Sequence, residues 1–468
     1  MKSDSLQRFD IEEDLSTGYK ESLPKGKRSY YNIKIVDPNI VRLFNYRTGA
    51  LIEIDKNDPA YSRFEDIWKK PAFNLHEHEW LSALRENGFV VPAELDEIED
   101  HHASFQARQQ SSSWMALIVM PTEECNFRCV YCYEDFTKGT MSTEIQIAVT
   151  AYIRKLMSTQ KSIRLEWFGG EPFFAPEVIE RISEAAIKSA GEYGVAYWRS
   201  ATSNGYLITP NIFDISVSQW RIMRHNISID GPKQYHDERR VLRNGGTTYD
   251  QILSNLEYMV STKYEDVQIV IRMNVDRENI GKLFEFMETI KKVLGDDKRF
   301  YFYSRGVWGK SKFPLLSQSE RRRLYKETAR FTQQLNLRWY DPEIYLNTEM
   351  SICYAARPSS VVIGSDGKLY KCTADFSMPE NQLGQLRQNG EAFIDLDMLQ
   401  LWTESRAEKY KACWSCRIAP LCNGVMCPKV EIEGLRNSRT PMTRMPCPEA
   451  KFRVVDMIRQ VHTSSENG

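Results

Sequence analysis

The chain has 468 residues, 42% of them hydrophobic and 27% charged, a composition typical of a folded globular protein with about two to four domains. Its 62 basic and 63 acidic residues nearly cancel, so net charge gives no reason to expect nucleic acid or a membrane surface as a partner. No run approaches the ~18 apolar residues of a membrane span, and the first residues lack a secretory signal. We therefore expect a cytoplasmic protein.

The first 113 residues contain no cysteine. Residues 1–28 are polar and predict a mobile arm, and polar residues 99–113 predict a linker. Between them, strand-like segments at 30–36, 41–45, 50–55 and 89–91 surround a short helical segment at 80–85. Residues 29–113 are therefore predicted to be a small α+β domain with its linker.

From residue 114, strand and helix patterns alternate six times. The predicted strands are 114–120, 163–168, 196–202, 223–229, 267–275 and 300–304, and the predicted helices are 144–158, 176–193, 210–220, 249–262, 280–294 and 318–335. Such alternation predicts parallel strands with right-handed crossovers. Six units are fewer than the eight of a closed barrel, so residues 114–345 are expected to form an open, partial (β/α)6 TIM-like barrel. Its functional residues should lie on the loops that follow the strands.

Residues 346–455 break into short pieces with too little apolar periodicity for a conventional core, so we expect bound metal to stabilise them. Residues 456–468 are expected to be a tail.

The ten cysteines are unevenly placed: three lie between 125 and 132, none in the next 220 residues, and seven from 353 onwards. Disulfides are disfavoured in a reducing cytosol, where closely spaced cysteines more often bind metal. Buried, inert cysteines are the alternative, but clustering argues against it.

The first three cysteines, Cys125, Cys129 and Cys132, have the spacing C-x3-C-x2-C directly after the first barrel strand. Three thiolates on one loop can hold a 4Fe–4S cluster and leave one iron open for a substrate or cofactor. A structural zinc site is the rival, but it needs four closed ligands and no fourth lies nearby.

The cysteine motif and three later loops resemble the radical S-adenosylmethionine (SAM) superfamily, whose signature is CxxxCxxC with an aromatic residue before the last cysteine, here Tyr131. The second strand ends in the family's GGEP motif, the third in Ser203-Asn204-Gly205, and the fourth in a Ser-x-Asp-Gly-Pro segment followed by His236-Asp237 and Arg240. Ordinary turn chemistry is the alternative for the Asn-Gly and Asp-Gly pairs. The resemblance implies SAM contacts from Tyr131, Gly169, Gly170, Glu171, Pro172, Ser203, Asn204, Ser228 and Arg240.

The same resemblance implies a mechanism. SAM binds the open iron, an electron from the reduced cluster breaks a carbon–sulfur bond, and the resulting 5′-deoxyadenosyl radical abstracts a hydrogen from the substrate. The cofactor carries the difficult chemistry, while the protein holds and shields it.

The last seven cysteines resemble the SPASM domain, an extension of radical SAM enzymes that mature peptides and proteins. The domain's usual pattern is C-x(9–15)-G-x4-C, then C-x2-C-x5-C-x3-C, then C; here Cys422 and Cys427 are separated by four residues, and Gly424 could absorb the extra one as a bulge. The resemblance implies two auxiliary 4Fe–4S clusters. Their ligands would be Cys353, Cys372 and Cys427 for one, and Cys413, Cys416, Cys422 and Cys447 for the other. Zinc ribbons are the alternative.

Two branches of the family suggest substrates. Anaerobic sulfatase-maturing enzymes carry an acidic residue directly after the cysteine of the G-x4-C element, whereas Thr373 and Ala374 follow Cys372 here and Asp375 comes third. Maturases of ribosomally made peptides often have an amino-terminal module that takes the leader peptide as an added strand, and residues 29–98 have elements of that kind. A packing or dimerisation domain is the alternative for these residues.

The sequence therefore predicts a SPASM-type radical SAM peptide maturase. It would install a cross-link or another oxidative change on a precursor peptide, with flavodoxin or ferredoxin as electron donor. The alternatives are a sulfatase-maturase-type protein side-chain oxidase and a non-catalytic metal-binding scaffold.

Overall fold

The computed structural model describes residues 25–74, 80–111, 114–309, 311–348, 352–404, 411–422, 427–437 and 450–465. Within this part of the chain, no helix is long and apolar enough to cross a membrane. Four of the sequence predictions concern residues outside this part of the chain. They are most of the arm (residues 1–24), part of the linker (112–113), the bulge at Gly424 and the ligand Cys447.

The amino-terminal region forms two small antiparallel sheets with three helices. The order of strands is β5–β1–β6 in one sheet and β2–β3–β4 in the other. The elements are β1 (Lys25–Arg28), β2 (Asn32–Val36), β3 (Ile40–Asn45), β4 (Leu51–Asp55), α1 (Ala60–Lys69), β5 (Phe73–Asn74), α2 (Trp80–Glu86), β6 (Val90–Pro92) and α3 (Glu97–Gln110).

Two predictions for this region were wrong. Residues 25–28 are not part of an arm, because β1 pairs with both β5 and β6. The predicted linker is largely α3, which begins where the Asp96 side chain accepts hydrogen bonds from the backbone N–H groups of Ile98 and Glu99 and buries Phe105. Its polar residues Glu97, His101 and Gln109 are buried as well, so polar composition did not mark this segment as exposed.

The predicted partial barrel is confirmed. Six parallel strands lie in the order β14–β13–β11–β10–β9–β7, with helices between them. The elements are β7 (Trp114–Val119), β8 (Phe127–Cys129), α4 (Thr143–Met157), β9 (Ser162–Trp167), α5 (Pro176–Tyr193), β10 (Ala196–Ser203), α6 (Pro210–Ser218), β11 (Arg224–Ser228), α7 (Lys233–Arg239), β12 (Arg240–Leu242), α8 (Tyr249–Ser261), β13 (Gln268–Val275), α9 (Leu283–Leu294), β14 (Phe300–Gly306), α10 (Gln318–Gln334), β15 (Arg338–Trp339) and α11 (Asp341–Tyr345).

Local sequence sets the ends of the barrel helices. The Ser142 hydroxyl accepts from the backbone of Ile145 at the start of α4, and Ser317 and Glu320 form a capping box at the start of α10. Helix α5 starts with Pro176 and ends at Gly194, whose φ of +65° suits glycine. The apolar faces of the helices and strands then close on one continuous core.

The carboxy-terminal region continues the barrel sheet. Strand β16 pairs in parallel with β7, and three antiparallel strands follow it. The elements are β16 (Ser360–Ile363), β17 (Lys368–Tyr370), β18 (Gln382–Leu386), β19 (Ala392–Ile394), α12 (Leu396–Thr403), α13 (Lys411–Trp414), α14 (Ala419–Cys422), α15 (Pro428–Asn437) and α16 (Ala450–Ser465).

Two predictions for this region were also wrong. Residues 360–403 do not lack a conventional core, because Val361, Leu369 and Trp402 are buried in the same core as the barrel. The predicted tail is mostly α16, whose Met457 and Ile458 are fully buried. Helix α16 packs against α10 and α11, so residues 456–465 belong to a packed helix where the sequence suggested a tail.

Candidate active site

The three clustered cysteines lie on the loop that leaves the carboxyl end of β7. Within this loop, β8 pairs with β12 so that Cys129 lies opposite Arg240. Cys125 is buried and Cys132 is exposed. Burial raises the pKa of the Cys125 thiol to about 12 and that of Cys129 to about 11, so the free thiols stay protonated near neutral pH. A bound metal would favour their thiolates.

The Gly169-Gly170 turn after β9 lies against the backbone that leads into the cysteine loop. A Cβ atom at Gly169 would lie 2.3 Å from the carbonyl oxygen of Thr122, and one at Gly170 would lie 2.3 Å from that of Glu124. Gly169 also has a φ of +121°. These glycines therefore permit a close backbone-to-backbone approach within the protein.

The Glu171 carboxylate is hydrogen-bonded to other groups of the protein. It accepts hydrogen bonds from the Ser203 hydroxyl (2.8 Å), the Asn204 backbone N–H (2.7 Å) and the Phe173 backbone N–H (3.1 Å). Burial raises its pKa to about 7, against the opposing effect of these bonds. Glu171 thus joins the loops after the second and third strands, and neither it nor Pro172 lines the cavity described below.

Asn204 connects the third loop to the cysteine loop. Its amide Nδ2 donates to Asn126 Oδ1 at 2.8 Å and lies 3.8 Å from Cys125 Sγ. The side chain is almost fully buried, so the family-like Ser203-Asn204 pair does more than form a turn.

A buried polar network holds Tyr131, the aromatic residue of the cysteine motif. Its hydroxyl donates to Asp230 and accepts from Arg240 at 2.7 Å and from Asn274 at 3.1 Å. Burial raises the pKa of Tyr131 well above its usual value, so the phenol remains a donor. The network joins the cysteine loop to β11, β12 and β13.

His236 and Asp237 have structural roles. The His236 ring bonds to the Asp230 backbone N–H at 3.1 Å and to the Thr248 hydroxyl at 2.9 Å. The Asp237 carboxylate accepts from the backbone N–H groups of Thr248 and Tyr249 at the start of α8. Asp237 thus helps to fix the start of α8.

These loops enclose one cavity of about 290 Å³. Seven of the nine residues predicted to contact SAM line the cavity, and so do all three clustered cysteines. Its other lining residues are not among these predicted site residues. The lining residues are Cys125, Phe127, Cys129, Tyr131, Cys132, Tyr133, Glu134, Phe136, Phe168, Gly169, Gly170, Thr202, Ser203, Asn204, Ser228, Arg240, Arg272, Asn274, Val307, Trp308, Thr373 and Ala374.

Sequence reasoning missed Arg272 and Asn274, both on β13. The signal was present, because two polar residues at alternate positions interrupt an otherwise apolar strand and must share one face. In the structure this face points into the cavity.

The donor set fits a SAM-binding cluster. Three thiols that form no disulfide lie on one wall, and the buried Nε of Arg240 has no hydrogen-bond acceptor in the described structure. Thiols are iron–sulfur ligands, and a guanidinium with a free N–H suits a carboxylate such as that of SAM.

Three of the later cysteines come together beside this cavity. Cys353 interacts electrostatically with both Cys372 and Cys427, and burial raises the pKa of Cys353 to about 12. Thr373 and Ala374, directly after Cys372, line the cavity. In the described residues, no three histidine, cysteine or acidic side chains are close enough to bind a single metal ion.

Two cysteines of the second set, Cys416 and Cys422, lie against the amino-terminal region. Cys416 and Cys422 pack on a cluster that includes Tyr31 and residues of α16. The Tyr30 hydroxyl donates to the carbonyl oxygen of Ser415 at 2.7 Å, between Cys413 and Cys416.

Comparison with known proteins identifies the class. Residues 119–290 match the Radical SAM superfamily. The radical SAM cyclopropyl synthase TigE of Paramaledivibacter caminithermalis is 25% identical over 263 residues, 49% of this chain and 53% of TigE. The serine-type anaerobic sulfatase-maturating enzyme of Klebsiella pneumoniae is 22% identical over 322 residues, 64% of this chain and 78% of that enzyme.

A solved structure shares the fold. Native anSMEcpe with bound AdoMet superimposes with a TM-score of 0.57 at 19% identity, covering 75% of this chain and all of that one. The chain spans only about half the length of the cyclopropyl synthase that it matches. Residues 119–290 are therefore a radical SAM domain, and this class implies SAM and a 4Fe–4S cluster as cofactors.

Proposed function

We propose that the protein is a radical SAM peptide maturase that modifies side chains of a ribosomally made precursor peptide. One observation carries this proposal: the three clustered cysteines, the Gly169-Gly170 turn and Arg240 line the same cavity, whose edge is formed by the residues directly after Cys372. The cavity thus combines a SAM-type site with an opening toward a second group of cysteines.

In this proposal, Cys125, Cys129 and Cys132 hold the 4Fe–4S cluster. Arg240 and Ser228 bind the carboxylate of SAM, and the backbone of Gly169 and Gly170 forms the wall beside its amino group. When bound, the cluster and SAM supply a 5′-deoxyadenosyl radical that abstracts a substrate hydrogen. The Tyr131 network holds the cysteine loop and Arg240 in fixed relative positions.

The auxiliary clusters are also part of the proposal. Cys353, Cys372 and Cys427 would hold one 4Fe–4S cluster, and Cys413, Cys416, Cys422 and Cys447 another. The electrostatic contacts within the first set support this grouping. Zinc ribbons are the alternative for these cysteines.

A peptide substrate is supported by the relatives and by the amino-terminal region. The relatives include a sulfatase-maturating enzyme, whose name describes a protein substrate. The sheet β2–β3–β4 ends in strands β2 and β4, which have no further partner strand in the described chain and could take a leader peptide as an added strand. We further propose flavodoxin or ferredoxin as electron donor and a cytoplasmic location, which keeps the thiols reduced.

The sulfatase-maturase alternative is disfavoured by the surroundings of Asp375. Its carboxylate accepts from the Ser377 backbone and hydroxyl at 3.0 and 2.7 Å, and it lies 3.7 Å from the Lys429 ammonium. Thr373 and Ala374 line the cavity, whereas Asp375 does not. The two residues that follow Cys372 therefore present no acidic group to the cavity.

Anaerobic reconstitution tests the proposal. The parent protein should bind about twelve iron atoms if it holds three cubane clusters, and it should form 5′-deoxyadenosine from SAM when reduced. Replacing Cys125, Cys129 and Cys132 together by alanine should remove about four iron atoms and abolish SAM cleavage. The matched control is a triple alanine variant of Cys413, Cys416 and Cys422, which should lose iron but retain SAM cleavage.

Two results would contradict the proposal. Zinc in place of iron, with no 5′-deoxyadenosine, would favour the non-catalytic scaffold. SAM cleavage that survives the loss of the first three cysteines would show that the cofactor site is misassigned.

A further inference from the structure

Arg272 is a cation in the active-site cavity, but it is not one of the residues predicted to contact SAM. It lies on β13 two residues before Asn274, so both side chains share one face of the strand. Asn274 is nearer the carboxyl end and contacts Tyr131 of the cysteine loop. Arg272 therefore lies two residues nearer the amino end of β13 than Asn274, in the same cavity as Tyr133 and Trp308.

Arg272 has no counter-ion in the described part of the chain. Its Nε is buried without a hydrogen-bond acceptor. Three other arginines of the barrel have acidic partners: Arg239 binds Asp276, Arg240 lies near Asp230 and Arg305 binds Asp341. A buried charge without a partner is costly, so an anion from a second molecule would be favoured at this position.

The surroundings of Arg272 suit a peptide side chain. The rings of Tyr133 and Trp308 lie 5.2 Å apart on the cavity rim and are 44% and 40% exposed. Thr373 of the carboxy-terminal region also lines this part of the molecule. Exposed aromatic rings beside a cation can hold a peptide while the charge reads one side chain.

The carboxylate of SAM has a different partner in the proposed function. Arg240 lies opposite Cys129 on the hairpin that carries the cysteine loop, which places its guanidinium next to the cluster ligands. Arg272 lies on another strand and is not part of the Tyr131 network. The anion that Arg272 binds is therefore expected to belong to the substrate.

We propose that Arg272 binds the side-chain carboxylate of an aspartate or glutamate in the substrate peptide, next to the residue that is modified. This inference rests on the proposed function, because it assumes a peptide in the cavity. A planar guanidinium can hold a carboxylate through two parallel hydrogen bonds, which an amide of the same shape cannot reproduce. Arg272 would thus set a preference for acidic peptides.

Blocked tetrapeptides of the form Ac-Gly-Xaa-Tyr-Gly-NH2, with Asp, Glu, Asn, Gln or Lys as Xaa, test this inference on the reconstituted holoenzyme with SAM. Anaerobic calorimetry should give about tenfold tighter binding for an acidic peptide than for its amide. The Arg272→Gln variant should reduce this ratio to about one, and Arg272→Glu should reverse it in favour of a lysine peptide. Arg181→Gln removes an equal charge from the exposed face of α5 and should keep the parental ratio.

Several results would overturn the inference. These are the absence of an acid preference in the parent, including no binding of any acidic peptide, and a ratio that is unchanged in Arg272→Gln. A tenfold loss of SAM affinity in Arg272→Gln would instead assign the guanidinium to the cofactor. SAM cleavage by the parent, measured on the same preparation, separates failure of the proposed function from failure of the role of Arg272. If the parent does not cleave SAM, the proposed function is wrong. If it cleaves SAM, only the role of Arg272 is wrong.

Discussion

Gly169 and Gly170 show how a familiar motif can have a structural reason of its own. Their lack of a Cβ lets the turn after β9 approach the backbone of residues 122–124. That segment leads directly into Cys125, and the Glu171 backbone N–H donates to the carbonyl of Glu124 at 2.9 Å. The glycines therefore determine where the first cysteine lies.

We predict that Gly170→Ala impairs iron binding. The added methyl group would lie 2.6 Å or less from the carbonyl oxygens of Glu123 and Glu124, so the cysteine loop must move. Iron content after reconstitution should fall by up to about four atoms per chain. Gly191→Ala is the control, because a Cβ there meets nothing within 4 Å. Equal iron content in both variants would refute this account of the turn.

Buried histidines should make the protein less stable in acid. Burial lowers the pKa of His225 to about 4 and that of His101 to about 3, from an unfolded value near 6.5. Between about pH 6.5 and 4 the unfolded chain binds the extra proton, so each such group costs about 1.4 kcal/mol of stability per pH unit on acidification.

We predict a flatter pH dependence for His225→Asn. Denaturant unfolding should show that the free energy of unfolding falls less steeply in the variant than in the parent between about pH 6.5 and 4. Both proteins carry the same metal ligands, so the difference between their slopes isolates His225. Parallel curves would mean that His225 is already charged in the folded state.

At the scale of secondary-structure elements, a buried ion pair fixes α7 against the end of β13. The Arg239 guanidinium donates to Asp276 through Nε at 2.8 Å and through a terminal nitrogen at 2.9 Å, and both side chains are fully buried. The carbonyl of Arg239 also accepts from the Val130 backbone N–H at 3.0 Å. Through this backbone bond, the buried ion pair helps to fix the position of the cysteine loop.

Replacing Asp276 by Asn should destabilise the protein by about 3–5 kcal/mol, because it removes the only fully buried counter-charge of Arg239 in the described chain and leaves two half-exposed carboxylates at 3.7 Å. Urea unfolding under anaerobic conditions measures this loss. Glu278→Gln is the matched control: its carboxylate is 3.7 Å from Arg239 and half exposed, so its loss should cost less than about 1 kcal/mol. Similar losses in both variants would rule out a special role for the buried pair.

The elements of the barrel could be predicted because their signals are local. Caps such as Ser142 and Ser317, and the apolar periodicity between them, are readable in sequence. The position of Glu171 could not be predicted, since its partners Ser203 and Asn204 come from another loop. Helix α3 was missed because polar residues such as Glu97, His101 and Gln109 are buried there beside Phe105, through partners that are distant in sequence.

At the scale of the whole molecule, the amino-terminal region is attached to the second group of later cysteines. Tyr30 donates to Ser415, and Arg459 of α16 binds Asp37 at 2.7 Å. Cys416 and Cys422 lie on the same apolar cluster as Tyr31. Substrate recognition by residues 29–98 would therefore take place beside the second proposed auxiliary cluster.

Removal of iron should loosen this junction more than the barrel. Metal ligation supplies much of the stability of small cysteine-rich segments, whereas β9 to β13 are held by a large apolar core. After treatment with an iron chelator, hydrogen exchange should accelerate in α13, α14 and α16 and remain slow in β10 and β13. Equal acceleration in all these elements would show that the metal stabilises the whole chain as one unit.

The pairing of β7 with β16 has a consequence for how far apart the two metal-binding regions can be. Residues 360–363 bond directly to residues 116–119, so the strand before the first cysteine loop and the hairpin before Cys372 belong to one ladder. The hydrogen-bonded sheet, and not a flexible linker, therefore sets the distance between the two regions. The rate of electron tunnelling between the two regions would therefore not depend on solvent viscosity. A chain cut before residue 360 would expose the edge of β7 and tend to aggregate.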